Sequence, residues 1–324
     1  MSPRKKQGVL SPTDENLSCP TSFRSILEEA RKAPSLRVAV VNASDTLVLE
    51  GVLEAMQENF IQPVLLGNPS VINAFFKLNP SPVPIEIIAT GSDRESAEKA
   101  TSLFSDGTVQ VLLKGHIHTD TLLHAFLKKI PLPTRLSHVF IAELPSYPKL
   151  LFITDAAVNI SPDLSGKMAI TQNAIDFAIL MGVQTPNVAI LSATETVNPS
   201  IPSTLDAACL AKMSERGQIR GAVIDGPLAF DNAISAESAR EKGLKSPVAG
   251  IADILVVPDL VSGNILAKNL EYFAGATLAG VVISSHSVPL VLTSRSDPPR
   301  SRLLSTAIAV LAHDRLARKK SGDR

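Results

Sequence analysis

The sequence predicts an α/β protein: two α/β domains with parallel-rich sheets flanking a cleft. Three observations lead there. From Ser35 onward, short apolar runs rich in β-branched residues alternate with stretches of helical periodicity, the pattern of repeated βα units. Most of the runs are continuous rather than alternating, as in strands covered on both faces. The chain has 324 residues, enough for about two domains at roughly 150 residues each. About ten strands is also many for a single sheet.

Taken in order, the strand candidates are LRVAVVN (36–42), PVLLG (63–67), IEIIA (85–89), VQVLLKG (109–115), SHVFIAEL (137–144), KLLFITD (149–155), NVAILS (187–192), IRGAVIDG (219–226), DILVVPD (253–259), AGVVISS (279–285) and PLVLT (289–293). Helical spacing covers 46–60, 167–182, 203–217, 263–275 and 302–320. The third of these is expected to start on a Ser203 cap and to stop at Gly217, because a serine side chain satisfies a free N–H and glycine tolerates the left-handed stop. Pro-rich IPLPTR (130–135) and SSHSVPL (284–290) are crossing points between domains. The resulting division is a disordered tail over 1–20, a discontinuous first domain over 21–136 plus 289–324, and a second domain over 137–288. RLARKK (315–320) is read as a solvated helix end.

Composition narrows the function. Lys+Arg and Asp+Glu both number 31, which argues against nucleic acid or an anionic membrane surface as the dominant partner. Hydrophobic residues at 45% argue against a disordered chain. The cysteines, Cys19 and Cys209, form no CxxC or disulfide framework. No apolar run is long enough for a membrane span, and the basic N-terminus has no apolar region after it. A cytoplasmic location is the expectation. GxGxxG after a strand, GxxxxGK[ST] and GxSxG are all missing, so nicotinamide-binding, P-loop and nucleophile-elbow chemistry have no fingerprint. His116 and His118, with His124 nearby, could face a metal from a strand edge, but no third ligand is specified and none is assigned.

Five loops follow strands where open α/β sheets bind ligands: LLKGHIHTDT (112–121), FITDAAVNISPDL (152–164), VIDGPLAFDNAIS (223–235), ILVVPDLVSGNIL (254–266) and LVLTSRSDPPRSR (290–302). In the fourth, Asp259, Ser262, Gly263 and Asn264 precede a helix. Ser262 or Asn264 caps it, or the helix start binds a phosphate or carbonyl. In the fifth, Thr293, Ser294, Arg295 and Asp297 combine a hydroxyl, a guanidinium fork and a carboxylate. Equally, Asp297 caps a helix with Pro298 at its first position and solvated arginines behind. Asp155 and Asn159 read as turn residues, and Asp231 as a cap for the helix over 233–242.

Together, ITDAAVNISPDL, VNPSIPSTLDAACLAKMSERGQIRGAVIDGPLAFDNAIS, KSPVAGIADILVVPDLVSGNILAKNLEYFAGA and PLVLTSRSD resemble the phosphate acetyltransferase/phosphate butyryltransferase family, with IDGPLAFDNAIS and LLKGHIHTDTLL nearer the butyryl branch. The resemblance implies two domains similar to the isocitrate/isopropylmalate dehydrogenase fold, usually as a homodimer. It implies reversible conversion of acyl phosphate and CoA to acyl-CoA and phosphate, with coenzyme A as substrate and no other cofactor or metal. A catalytically weak relative that binds CoA or acyl phosphate as a sensor is the alternative.

In the family pattern Ser294 meets the carbonyl or leaving phosphate and Arg295 the phosphate. Asp259, Gly263 and Asn264 match the substrate-binding loop, and Lys114 and Thr119 belong to the first-domain loop. Two positions depart from the acetyl branch. Its proposed base, an aspartate, is replaced by Ser301, which leaves Asp297 as the candidate base. Its first-domain arginine has no counterpart between Arg94 and Arg135, so Lys114 or Arg135 supplies the charge.

Overall fold

The computed structural model describes residues 19–132, 134–285, 287–293 and 297–321. The sequence-predicted catalytic pair Ser294 and Arg295 lies outside the described residues, and so does most of the expected tail.

A short helix, α1 (Phe23–Ala30), precedes the first run of βα units: β1 (Leu36–Val41), α2 (Thr46–Gln57), β2 (Ile61–Gly67), α3 (Pro69–Leu78), β3 (Glu86–Ala89), α4 (Asp93–Ser105), β4 (Val111–Lys114) and α5 (Thr119–Lys129). Next come β5 (Ser137–Glu143), β6 (Leu151–Thr154), α6 (Leu164–Leu180), β7 (Asn187–Leu191), α7 (Pro202–Glu215), β8 (Val223–Leu228), α8 (Phe230–Ile234), α9 (Ala236–Glu241), β9 (Ile254–Val256) and α10 (Leu260–Tyr272). The antiparallel pair β10 (Thr277–Ser284) and β11 (Ser287–Val291) leads into the long α11 (Pro299–Ser321). Each apolar run in the sequence becomes a strand, and most are buried along their length, as the continuous patterning requires.

The strands do not form separate sheets. They make one eleven-stranded sheet in the order β3-β2-β1-β4-β11-β10-β5-β6-β9-β7-β8. The join is β10, which pairs antiparallel with β5 from Thr277↔Glu143 to Ile283↔Ser137 and with β11 on its other side. β5 is also antiparallel to β6. Parallel ladders flank this junction on either side. Open sheets of this width occur in large α/β enzymes.

Helix α11 is buried from Ser301 to Ala312 and packs on α1, α2, β10 and β11. A helix enclosed all round belongs to the core. Its end is exposed over 317–320, as expected, but not at its first arginine. Arg315 is 4% exposed, paired with Glu29 and donating to the Leu180 carbonyl.

Three caps differ from the sequence reading. α7 begins at Pro202 with no side-chain cap, since Ser203 instead meets the Ser192 hydroxyl at 2.7 Å. Asp231 lies inside α8 and does not cap α9, whose cap is Ser235; its carboxylate accepts from Ser238 and pairs with Lys242. In α10 the cap is Asp259, one half of a capping box with Ser262.

Candidate active site

β6 and β9 run opposite to β4 and β11, because β10 is antiparallel to both β11 and β5 and β5 is antiparallel to β6. The segments that follow these four strands nevertheless meet beside β5. Their loops enclose a cavity of about 400 Å³. Lys114, Thr119, Asn264 and Asp297 all line it. Thus four of the residues expected at the site meet in one place, brought from segments far apart in sequence.

Lys114 is buried and donates from Nζ to the Thr293 carbonyl at 3.2 Å. Arg302 approaches the same residue, its Nη1 donating to Thr293 Oγ1 at 2.8 Å. Two cations therefore hold the residue just before Ser294. Of the two sequence readings of this segment, one puts Arg302 on a solvated face, yet it is 3% exposed. The fit depends on Gly51 in α2, where a Cβ would stand 3.1 Å from Arg302 Cδ. Burial lowers the Arg302 pKa, opposed by the Asp297 and Asp45 carboxylates. Lys268, not foreseen from sequence, lies 3.8 Å from Asp297 and 2.7 Å from Glu271. Burial disfavours its charge, but the hydrogen bond to Glu271 and the nearby Asp297 outweigh that and raise its pKa.

Asp259 and Gly263 support the cavity from behind. Asp259 Oδ1 accepts from the Ser262 N–H at 2.8 Å and fixes the start of α10. At Gly263 an added Cβ would fall 2.7 Å from Val257 Cγ2 and 2.9 Å from the Asp155 carbonyl. Gly263→Ala is expected to destabilise the protein by about 1–3 kcal/mol through overpacking, seen as a lower urea midpoint. An unchanged midpoint would show that α10 can shift freely.

Arg135 is not brought to the cavity. It is exposed and donates to Asn159 Oδ1 at 3.0 Å. Asn159 in turn donates to Asp155 Oδ2 and to the Leu136 carbonyl. Asp155 is more than a turn residue. Its buried carboxylate accepts from the N–H groups of His138, Ala157 and Val158 as well as from Asn159. It ties the β6–α6 loop to the start of β5.

His138 and Phe140 of β5 line the cavity with Ile117, Ala156, Leu260 and Leu292. The sequence reading absorbed His138 into a strand. The available signal was an imidazole in an otherwise apolar run. Burial pushes its pKa down to about 4, only partly offset by Asp155. An unfolded histidine takes a proton below about 6.5, whereas the folded one stays neutral until about 4. Between those values the unfolded state binds more protons, so His138 makes stability fall as pH drops and contributes nothing above the window. The urea midpoint is expected to decline from pH 7 to pH 5, and less steeply in His138→Leu.

Asp45 lies 3.6 Å from His116 Nδ1. Among the described residues no group of three or more His, Cys, Asp or Glu is placed to hold a metal ion. A larger groove of about 860 Å³ runs between α4 and α5, lined by Arg94, His124, Lys128 and Lys129 among others. It contains none of the expected site residues. Asp120 borders both spaces, so groove and cavity adjoin. Convergent polar groups over an apolar wall mark the smaller cavity as the place for chemistry.

Known proteins resemble this chain over most of its length. The family model described as phosphate acetyl/butaryl transferase matches residues 83–310. A phosphate acetyltransferase of Rhizobium meliloti is 46% identical over 297 residues, 90% of this chain and 93% of the relative. A phosphate butyryltransferase of Clostridium acetobutylicum is 38% identical over 294 residues, 90% of this chain and 97% of the relative. Of these two, the acetyl enzyme is the more similar, although the loop motifs point to the butyryl branch. The crystal structure of a branched-chain phosphotransacylase from Enterococcus faecalis superposes with a TM-score of 0.74 at 32% identity, covering 86% of this chain and 99% of that one. The chain therefore belongs to the phosphate acetyltransferase/phosphate butyryltransferase family.

Proposed function

We propose that this protein catalyses the reversible transfer of a short acyl group between coenzyme A and inorganic phosphate. The observation that carries the reading is the single cavity in which Lys114, Thr119, Asn264 and Asp297 converge. Its lining combines charged groups, Lys114, Lys268 and Asp297, with apolar ones, Phe140, Leu260 and Leu292. An acyl phosphate joins the same two chemistries.

The attacking group is the CoA thiol. By analogy with cysteine its pKa is about 8.5, so it is mostly protonated at neutral pH and needs a base. Asp297 is that base in this reading: it lines the cavity beside Lys268. Thiolate attack on the acyl carbonyl builds negative charge on its oxygen. The C–S bond forms, the C–O bond to phosphate breaks, and phosphate leaves. Ser294 and Arg295 are assigned by family resemblance to the carbonyl and phosphate. Lys114 acts in two ways, supplying positive charge and holding Thr293 immediately before that pair. Asn264 reaches the Ala156 carbonyl at 3.4 Å and lines the same cavity. The adjoining groove, where Arg94, Lys128 and Lys129 outnumber Glu98 and Asp120, offers a net positive track for the phosphates of a long thiol substrate.

A homodimer fits the same reading. Val261, Ile265, Tyr272 and Phe273 are exposed along and just beyond one side of α10, an apolar surface suited to a second copy. The cytoplasm is the proposed compartment. No helix among the described residues is long and apolar enough to cross a membrane, and Cys19 and Cys209 are free.

The test is CoA release from acetyl-, propionyl- and butyryl-CoA with and without phosphate. Phosphate-dependent release supports the reading, and the order of kcat/KM ranks the acyl groups. No release from folded protein with any of the three would overturn it.

A further inference from the structure

One buried group is left over by this account. His138 is 1% exposed, and its Nδ1 has no hydrogen-bond partner. Its main chain is well served: the N–H donates to Asp155 Oδ2 at 3.0 Å and the carbonyl accepts from Thr154 Oγ1 at 2.8 Å. The ring is placed by packing. It meets Phe140 edge-on with centroids 4.3 Å apart. On the neighbouring strand it lies over Gly280, where a Cβ would come within 2.7 Å of Nε2. The glycine thus makes room for an imidazole, and the strands then hold it still.

For stability alone this is a poor choice of residue. A buried polar atom without a partner is destabilising, and an apolar side chain of similar volume would remove the cost. Such atoms in a folded protein call for an explanation. His138 also lines the cavity, as do the apolar side chains of Phe140, Ala156, Leu260 and Leu292. We infer that His138 is a specificity-determining residue for acyl transfer: with Phe140 it forms the inner wall against which the acyl chain seats, and the size of the imidazole sets the chain length accepted.

This rests on the acyl-transfer reading above. The ring is uncharged at neutral pH, so it does not repel an alkyl chain as a cation would. For the same reason it is a weak proton acceptor for a thiol and serves the reaction by shape. Lys114, Lys268 and Asp297 supply the charged lining of the same cavity, and the edge-on His138–Phe140 pair offers the alkyl end an uncharged surface.

The experiment compares the wild type with His138→Ala, His138→Leu and His138→Phe, using acetyl-, propionyl-, butyryl- and pentanoyl-CoA with phosphate. Urea midpoints are recorded for each variant. His138→Ala should shift the ratio of kcat/KM toward the longer chains by at least about tenfold, the scale of one methylene in an apolar pocket. His138→Phe should shift it the other way. His138→Leu should keep or raise the urea midpoint while changing the acyl ranking, which a purely structural histidine would not do. An unchanged ranking in all three variants, with wild type active, would overturn the inference and leave the acyl-transfer reading intact. If the wild type turns over none of the four, that reading fails instead. The wall is then tested by calorimetry as the difference in affinity between CoA and butyryl-CoA. A difference altered in His138→Ala supports it, and the same difference in wild type and variant overturns it.

Discussion

Arg295→Ala is expected to lower kcat/KM for phosphate-dependent CoA release by at least about 10²–10³, the usual cost of removing a donor that stabilises transition-state charge. Two lines of argument meet on this residue. The PLVLTSRSD segment resembles the family's Ser-Arg motif, with Ser294 and Arg295 in the proposed positions. The residues on either side, Thr293 and Asp297, both line the cavity, with Thr293 held by Lys114 and Arg302. Arg295→Lys should recover only part of the loss, since an ammonium keeps the charge but not the planar fork that engages two phosphate oxygens. Steady-state kinetics with phosphate varied checks both. Turnover unchanged in Arg295→Ala would remove the pair from the site.

Asp155→Ala should be the most destabilising single change among the described polar residues of the site. Its carboxylate receives four hydrogen bonds, from the N–H groups of His138, Ala157 and Val158 and from the Asn159 amide. Truncation strands those donors in a buried place, and unmet donors typically cost about 1–3 kcal/mol each before relaxation and water entry. A net loss of roughly 3–5 kcal/mol follows, since part of each cost is relieved. Asp155→Asn, which keeps one acceptor oxygen, should lose less. Urea titrations of the three proteins give the ordering. Equal midpoints would show that the β6–α6 loop does not depend on this carboxylate. Because Ala156 and Ala157 line the cavity, activity in the folded fraction should fall along with stability.

Much of the architecture could be read from residue order. Strands in α/β proteins declare themselves as continuous apolar runs, and LRVAVV or NVAIL would be hard to read otherwise. What sequence pattern does not encode is which strands become neighbours. TLAGVVIS looks like the other runs, and nothing local in it says that β10 pairs with β11 on one side as well as with β5 on the other. The antiparallel β10–β11 ladder merges two expected sheets into one. At the site, loop position after a strand together with the family resemblance pointed to Lys114, Thr119, Asn264 and Asp297, which line one cavity. The resemblance also offered Arg135, and residue type alone does not reveal that Asn159 claims its guanidinium. Caps were confused where several polar residues competed. Asp259 rather than Ser262 faces the free N–H groups of α10, a choice made by backbone conformation rather than by residue type. His138 escaped notice because a strand reading accounts for its neighbours and so seems to account for it.

A sheet of eleven strands has only two borders, and here they are β3 and β8. Both are poor templates for another strand. β3 is four residues long and begins with Glu86, which is paired to Arg37. β8 contains Gly226 and Pro227, and its register against β7 slips between Ala189 and Leu191. Proline withholds a donor from any incoming chain, and a bulge bends the border away from a straight match. Short, charged or interrupted borders of this kind discourage edge-to-edge aggregation. Self-association that continues the sheet from copy to copy is thereby disfavoured, and the helical surfaces are left as the place where two copies can meet without propagating into fibres.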